Sequence, residues 1–277
     1  EYFNNLIPIV ENPYTKYQND HNTAQPYESI HYANKSESAM VKKDPCIKSI
    51  GNITSKFWSG IFTKEFKRIN YKMEENCTWV CLKKIIDHYT EKDNNISDIR
   101  EKLFEIYEAL QDHRKKMFDI LKVQGKRKHI KNIGKEVLTL QDFINSESYF
   151  LTNLDIFLLS NIYKFPFILI SGSSLREKSK TVDRSKLESK IFIRKQEGKS
   201  SYYIIQTTPI QYEGIPKYSI ICKDEKNILN TLSILPVEMT RMLDSVDVYT
   251  IETYIKDFDE RRYERKKTKK LVVQNDD

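Results

Sequence analysis

Cys77 carries the clearest chemical potential in this chain, because of the residues around it. The run Asn76-Cys77-Thr78-Trp79-Val80-Cys81-Leu82 leads into Lys83-Lys84-Ile85-Ile86-Asp87-His88-Tyr89, and the apolar spacing predicts a helix over 78–89. A thiol at the mouth of a helix meets free backbone N–H groups and the positive end of the helix dipole. Both favour the thiolate, the form that attacks carbonyl carbon. Such a nucleophile is normally activated by a neighbouring base, most often histidine. All five histidines (His21, His31, His88, His113 and His129) fall in the first half of the chain, ahead of the strands expected in its second half. The non-catalytic reading of Cys77 is a small buried apolar residue at a helix start.

Other chemistries find less support. Cys77, Cys81 and His88 could share a helix face, but eleven residues of straight helix spread them too far to chelate one ion, so no metal site is expected. Ser171-Gly172-Ser173-Ser174 has no lysine placed as in a phosphate-binding loop. No cofactor is implied. His113 and His129 lie in or beside a basic stretch and read as exposed.

The elements that must position Cys77 come from the rest of the 277 residues, 39% of them hydrophobic, enough to build a core. Residues 1–54, with Pro8, Pro13, Pro26 and Pro45 among polar residues and no sustained period, read as an extended arm. Residues 55–69 place Phe57, Trp58, Ile61, Phe62, Phe66 and Ile69 at helical spacing. Ser97 is a candidate N-cap for a long amphipathic helix ending near Gly125, and Thr139 and Thr152 cap two shorter ones. The apolar run 165–170 predicts a buried strand, followed by β-type runs at 191–194, 201–206 and 218–222. Residues 229–255 read as further helix broken near Pro236. Helices, then a meander of strands, then helices indicate an α+β fold.

Charge is uneven around a net +7. Residues 112–135 carry nine Lys/Arg against Asp112 and Asp119, and residues 261–270 carry seven against Glu264. Within these, Lys126, Arg127, Lys128, Arg261, Arg262, Arg265, Lys266 and Lys267 are candidates for contact with nucleic acid or an acidic partner; a solvated helix face plus a disordered tail is the alternative. The tyrosines do not interleave with the cations as a stacking platform would, so any nucleic-acid binding should be weak. There is no run of about eighteen apolar residues, hence no expected membrane contact. Four cysteines at irregular spacing suit a reducing, intracellular compartment better than a disulfide scaffold. Abundant Lys, Asn, Ile and Tyr fit an AT-rich genome, and a chain beginning at Glu1 reads as a piece of a longer protein.

Asn76-Cys77-x-Trp79-x-Cys81-Leu82 resembles the catalytic segment of the ovarian-tumour (OTU) cysteine proteases, usually deubiquitinases, which runs Asp-Gly-Asn-Cys-x-aromatic-x-small-aliphatic. Residues 147–160 with Tyr163 and Phe167-Ile168-Leu169-Ile170 are similar to the family's aromatic turn, helix and buried strand. Residues 202–206 and 218–222 stand where it has its last hairpin. The resemblance covers about residues 70–223 and extends to OTU-like segments of large nucleocytoplasmic DNA virus proteins. It implies an α+β, papain-type cysteine protease fold, with the arm at 1–54, an OTU-like domain at 55–223, a helical extension at 224–258 and a basic tail at 259–277.

The departures from the family shape the functional expectation. Glu74-Glu75 stands where the family has Asp-Gly, placing bulk and negative charge where an oxyanion would form. Lys217-Tyr218 stands where the family has its histidine base before an aromatic, and a protonated lysine cannot take the thiol proton. The resemblance therefore implies Cys77 as a vestigial nucleophile and Lys217 as the position of the missing base. The expected function is a catalytically inactive domain of a viral protein in the host cytoplasm or virion, holding a protein partner, with ubiquitin as a candidate. The alternatives are an active deubiquitinase with an unexpected base, and a nucleic-acid-associated virion or transcription component.

Overall fold

The computed structural model describes residues 45–53, 58–72, 74–171, 191–195, 199–208, 215–243, 250–256 and 258–260. Of the two units into which the chain divides, residues 1–44 and Pro45–Asp277, the described residues all belong to the second.

The fold is α+β, built on one mixed sheet. In chain order its strands are β1 (Ile47–Asn52), β2 (Lys67–Tyr71), β3 (Phe167–Ser171), β4 (Ile191–Arg194), β5 (Ser201–Thr208), β6 (Lys217–Cys222) and the short β7 (Asn230–Thr231). Their spatial order is β1-β2-β6-β5-β3-β4, with β7 paired to β5. Neighbours are antiparallel except β3 and β5, which run parallel with Ile168 opposite Ile204. The helices are α1 (Glu75–Thr90), α2 (Ile96–Ala109), α3 (Arg114–Leu121), α4 (Arg127–Ile133), α5 (Leu140–Asn145), α6 (Asn153–Tyr163) and α7 (Val237–Leu243). A further helical segment occupies 251–256.

Strand alternation sorts side chains onto two sheet faces. Ile168, Ile204 and Ile221 share one face, where Trp58, Phe62, Phe66, Leu235 and Met239 pack on them. The other face carries Tyr203, Tyr218, Ile220 and Cys222 and receives α1, which packs against β2 and β6. Tyr203 shows this directly, its hydroxyl lying 2.8 Å from His88 Nδ1 on α1.

Several expectations hold by their stated mechanism. Thr139 Oγ1 accepts from the Asp142 N–H, and Thr152 forms a capping box with Asp155. The strands at 191–194, 201–206 and 218–222 are present, and that at 165–170 begins at Phe167.

Others are corrected. Residues 47–52, assigned to the arm, form an edge strand on β2; most of that arm, residues 1–44, lies outside the described residues. The helix expected over 55–69 is one 3₁₀ turn at Trp58–Gly60 followed by β2. Trp58, Phe62 and Phe66 are buried as expected, but turns rather than helical periodicity place them, and Phe57 lies outside the described residues. The long helix from Ser97 is capped by Asn95, whose side chain accepts from the Ser97 N–H, and stops at Ala109. Beyond α3 the backbone kinks at Gly125, whose φ of 99° is a left-handed conformation that suits glycine. The stretch after 229 holds β7 and a 3₁₀ turn before α7.

Candidate functional site

Cys77 sits in the first turn of α1, 1% exposed, with Trp79 beside it equally buried. The segment 149–152 fixes this turn. Trp79 Nε1 donates to the Tyr149 carbonyl at 2.6 Å, and the Leu151 N–H donates to Thr78 Oγ1 at 2.9 Å. From β6, the Tyr218 hydroxyl donates to the Leu151 carbonyl at 3.2 Å and lies 3.1 Å from Asn153 Oδ1. The guanidinium of Arg100, on α2, covers the Trp79 ring at 4.6 Å and bonds the carbonyls of Ile144 and Ser146.

The sulfur itself is engaged. Cys77 is disulfide-bonded to Cys46, with Cα atoms 5.2 Å apart, so the two cysteines tie the start of β1 to α1. The irregular cysteine spacing gave no sign of this pairing; Cys81 and Cys222 are buried and outside any disulfide. Glu74 Oε2 lies 3.9 Å from Cys77 Sγ, a carboxylate where a base or an oxyanion pocket would be wanted. The Cys77 N–H donates to the Glu74 carbonyl at 3.0 Å.

No described histidine approaches the sulfur. His88 is eleven residues along the same helix, about 16 Å at 1.5 Å per residue, and pairs with Tyr203. His113 Nε2 is 3.3 Å from Glu252 Oε1, and His129 stacks on Phe143 at 4.3 Å. Both are half-buried rather than exposed. His21 and His31 lie outside the described residues.

Lys217 is at the start of β6 but not toward Cys77. The Asn70–Ser219 side-chain hydrogen bond fixes the direction of Ser219, and Lys217 has the same parity, on the face opposite α1. Burial pushes its pKa down, and the nearby charges of Arg68 and Lys48 push it further. Tyr218, its neighbour, faces α1.

The basic candidates separate sharply. Lys126 is wholly buried, its Nζ 3.2 Å from Asp155 Oδ2 and 2.9 Å from the centre of the Tyr149 ring. Removed from water, it cannot serve a surface partner, which corrects its assignment to one. Burial pulls its pKa down to about 7 despite the opposing pull of Asp155. Asp155 also accepts from the Tyr107 and Tyr149 hydroxyls at 2.7 and 2.9 Å, and burial raises both phenols well above their ordinary pKa. Arg127 and Lys128 are exposed. Arg127 lines an open groove of about 370 Å³ at the α3–α4 elbow with Asp119, Lys122, Val123 and Lys131. Arg261, Arg262, Arg265, Lys266 and Lys267 lie outside the described residues.

Sequence reasoning missed Cys46, whose partner is 31 residues away, and Asp155, whose capping role was hidden inside an apolar helix. The described residues contain no helix long and apolar enough to cross a membrane. Comparison with protein-family models, with curated proteins and with solved structures yields no match.

Proposed function

We propose that this chain is a degenerate OTU-like domain, from a large DNA virus protein, that holds a protein partner without cleaving it. The observation that carries the reading is the state of Cys77. Its sulfur is bonded to Cys46, its amide is used by the Glu74 carbonyl, and its ionisable neighbour among the described residues is the Glu74 carboxylate. A nucleophile, base and oxyanion donor work as a unit, and losing the base costs orders of magnitude in rate. The order of elements supports the family reading: a cysteine-bearing helix, later the helix α6 and strand β3, then the antiparallel pair β5 and β6. A surface available for a partner is the α3–α4 elbow, where Arg127 and Lys131 stand in solvent beside Val123, 44% exposed.

The test uses ubiquitin carrying a carbon electrophile at its C-terminus, with the protein first reduced so that the disulfide cannot mask the thiol. The expected result is no adduct and no cleavage of ubiquitin chains. Stoichiometric labelling of Cys77 would replace this reading with an active deubiquitinase. Titration with unmodified ubiquitin then reports whether docking survives without chemistry.

A further inference from the structure

The Cys46–Cys77 bond is built asymmetrically. Cys77 is 1% exposed and held in the first turn of α1, whereas Cys46, in the segment leading into β1, is only partly buried. An incoming thiolate must reach one sulfur and expel the other along the line of the S–S bond, so access decides which is attacked. The leaving position also favours one direction. A thiolate released at Cys77 appears at a helix N-terminus, whose dipole stabilises negative charge, although the Glu74 carboxylate at 3.9 Å offsets part of that gain.

From this we infer that Cys46–Cys77 is a thiol–disulfide exchange site for low-molecular-weight thiols such as glutathione, entered at Cys46. A thiolate RS⁻ attacks Cys46 Sγ; the Cys46–Cys77 bond breaks as Cys46–S–S–R forms, and the electron pair leaves on Cys77 Sγ. A second RS⁻ attacks the R sulfur of the mixed disulfide, releasing RSSR and the Cys46 thiolate. Both protein thiolates take protons from water. Two thiols are oxidised and one protein disulfide is reduced. The covalent tie between the start of β1 and α1 is thereby opened or closed by the thiol pool. This step needs no base and no oxyanion pocket, so it stands or falls separately from the reading of Cys77 as a dead nucleophile.

The experiment treats the oxidised full chain with reduced glutathione at neutral pH, quenches in acid and maps adducts by peptide mass spectrometry. Cys46 should carry the glutathione while Cys77 appears as thiol, with Cys81 and Cys222 as unmodified buried controls. In parallel, glutathione disulfide is reacted with Cys77→Ser and Cys46→Ser, each checked for its fold by circular dichroism. The Cys77→Ser protein should be thiolated about ten-fold faster or more, given the difference in access. Equal rates, preferential thiolation of Cys77, or no Cys46–Cys77 cross-linked peptide in the unreduced protein would each overturn the inference.

Discussion

Lys126 and Asp155 face each other at 3.2 Å with neither side chain reaching solvent. The pair lies behind the candidate site. Asp155 also accepts the Thr152 N–H at 2.7 Å, and residues 149–152 are the segment that holds Trp79 and Thr78 next to Cys77. Removing Asp155 takes acceptors from the buried Thr152 N–H and the Tyr107 and Tyr149 hydroxyls as well as the counter-charge from the amine, a combined loss of about 3–5 kcal/mol. Asp155→Asn should show a loss of that size in urea unfolding, with the midpoint falling and the slope unchanged. A change below about 1 kcal/mol would mean that the pair reaches water.

The same lysine gives the stability a pH dependence. Its folded pKa of about 7 lies below the unfolded value of about 10.4, so between those values the unfolded chain binds more protons. The cost of burying the charge is fully present below pH 7 and is relieved as pH rises. Asp155, Tyr149, Arg100 and His129 act on or face the amine, and the raised phenols of Tyr149 and of Tyr107, which bonds Asp155, keep their protons through this range. Between pH 7 and 9, stability of the parent relative to Lys126→Met should therefore rise, by at most about 1.4 kcal/mol per pH unit. Parallel curves for the two proteins would place the lysine pKa elsewhere.

Thr78 offers a smaller, cleaner test of how the site is held. Thr78→Val keeps the shape but leaves the buried Leu151 N–H without its acceptor, a cost of about 1–3 kcal/mol. Amide exchange at Leu151 should accelerate along with the loss of stability. Unchanged protection there would mean that another acceptor takes over.

The disulfide should be a main brace of this end of the sheet. Closing a loop of 31 residues' separation restricts the unfolded chain by about 3–4 kcal/mol in the chain-entropy account. Cys46→Ser should lower the melting temperature, and reducing agent should lower that of the parent but not of the variant. Equal sensitivity of both to reductant would show that the bond contributes nothing.

Salt dependence separates the basic residues that sequence grouped together. Binding of a mixed-sequence oligonucleotide should be weak at physiological salt and fall as salt rises. Arg127→Gln should reduce the slope of log affinity against log salt by about one, and Lys126→Gln should leave it unchanged, because a buried lysine releases no counterion from phosphate. Equal effects would contradict the burial of Lys126.

What was legible in the sequence follows from how local the cause was. Thr139 and Thr152 declare helix starts through hydrogen bonds three residues away, and the strand at 201–206 shows in its β-branched and aromatic content. β1 and β2 were hidden because their pairing is long-range and because Trp58, Phe62 and Phe66 mimic a helical period while packing from turns. Lys126 was indistinguishable from its neighbours, since only the kink at Gly125 turns it inward to Asp155. At the candidate site, Cys77 on a helix start was legible, but Cys46 and the direction of Lys217 depend on sheet register, which composition does not encode.

Whether Cys77, once reduced, is a thiol without a base shows in its alkylation as a function of pH. With the protein reduced, iodoacetamide modification of Cys77 should be slow at neutral pH and should accelerate steadily as pH rises, because the sulfur's ionisable neighbour among the described residues is the Glu74 carboxylate and not a cationic base. A fast rate already on a plateau between pH 5 and 7, the signature of a thiolate paired with a cationic base, would contradict the account.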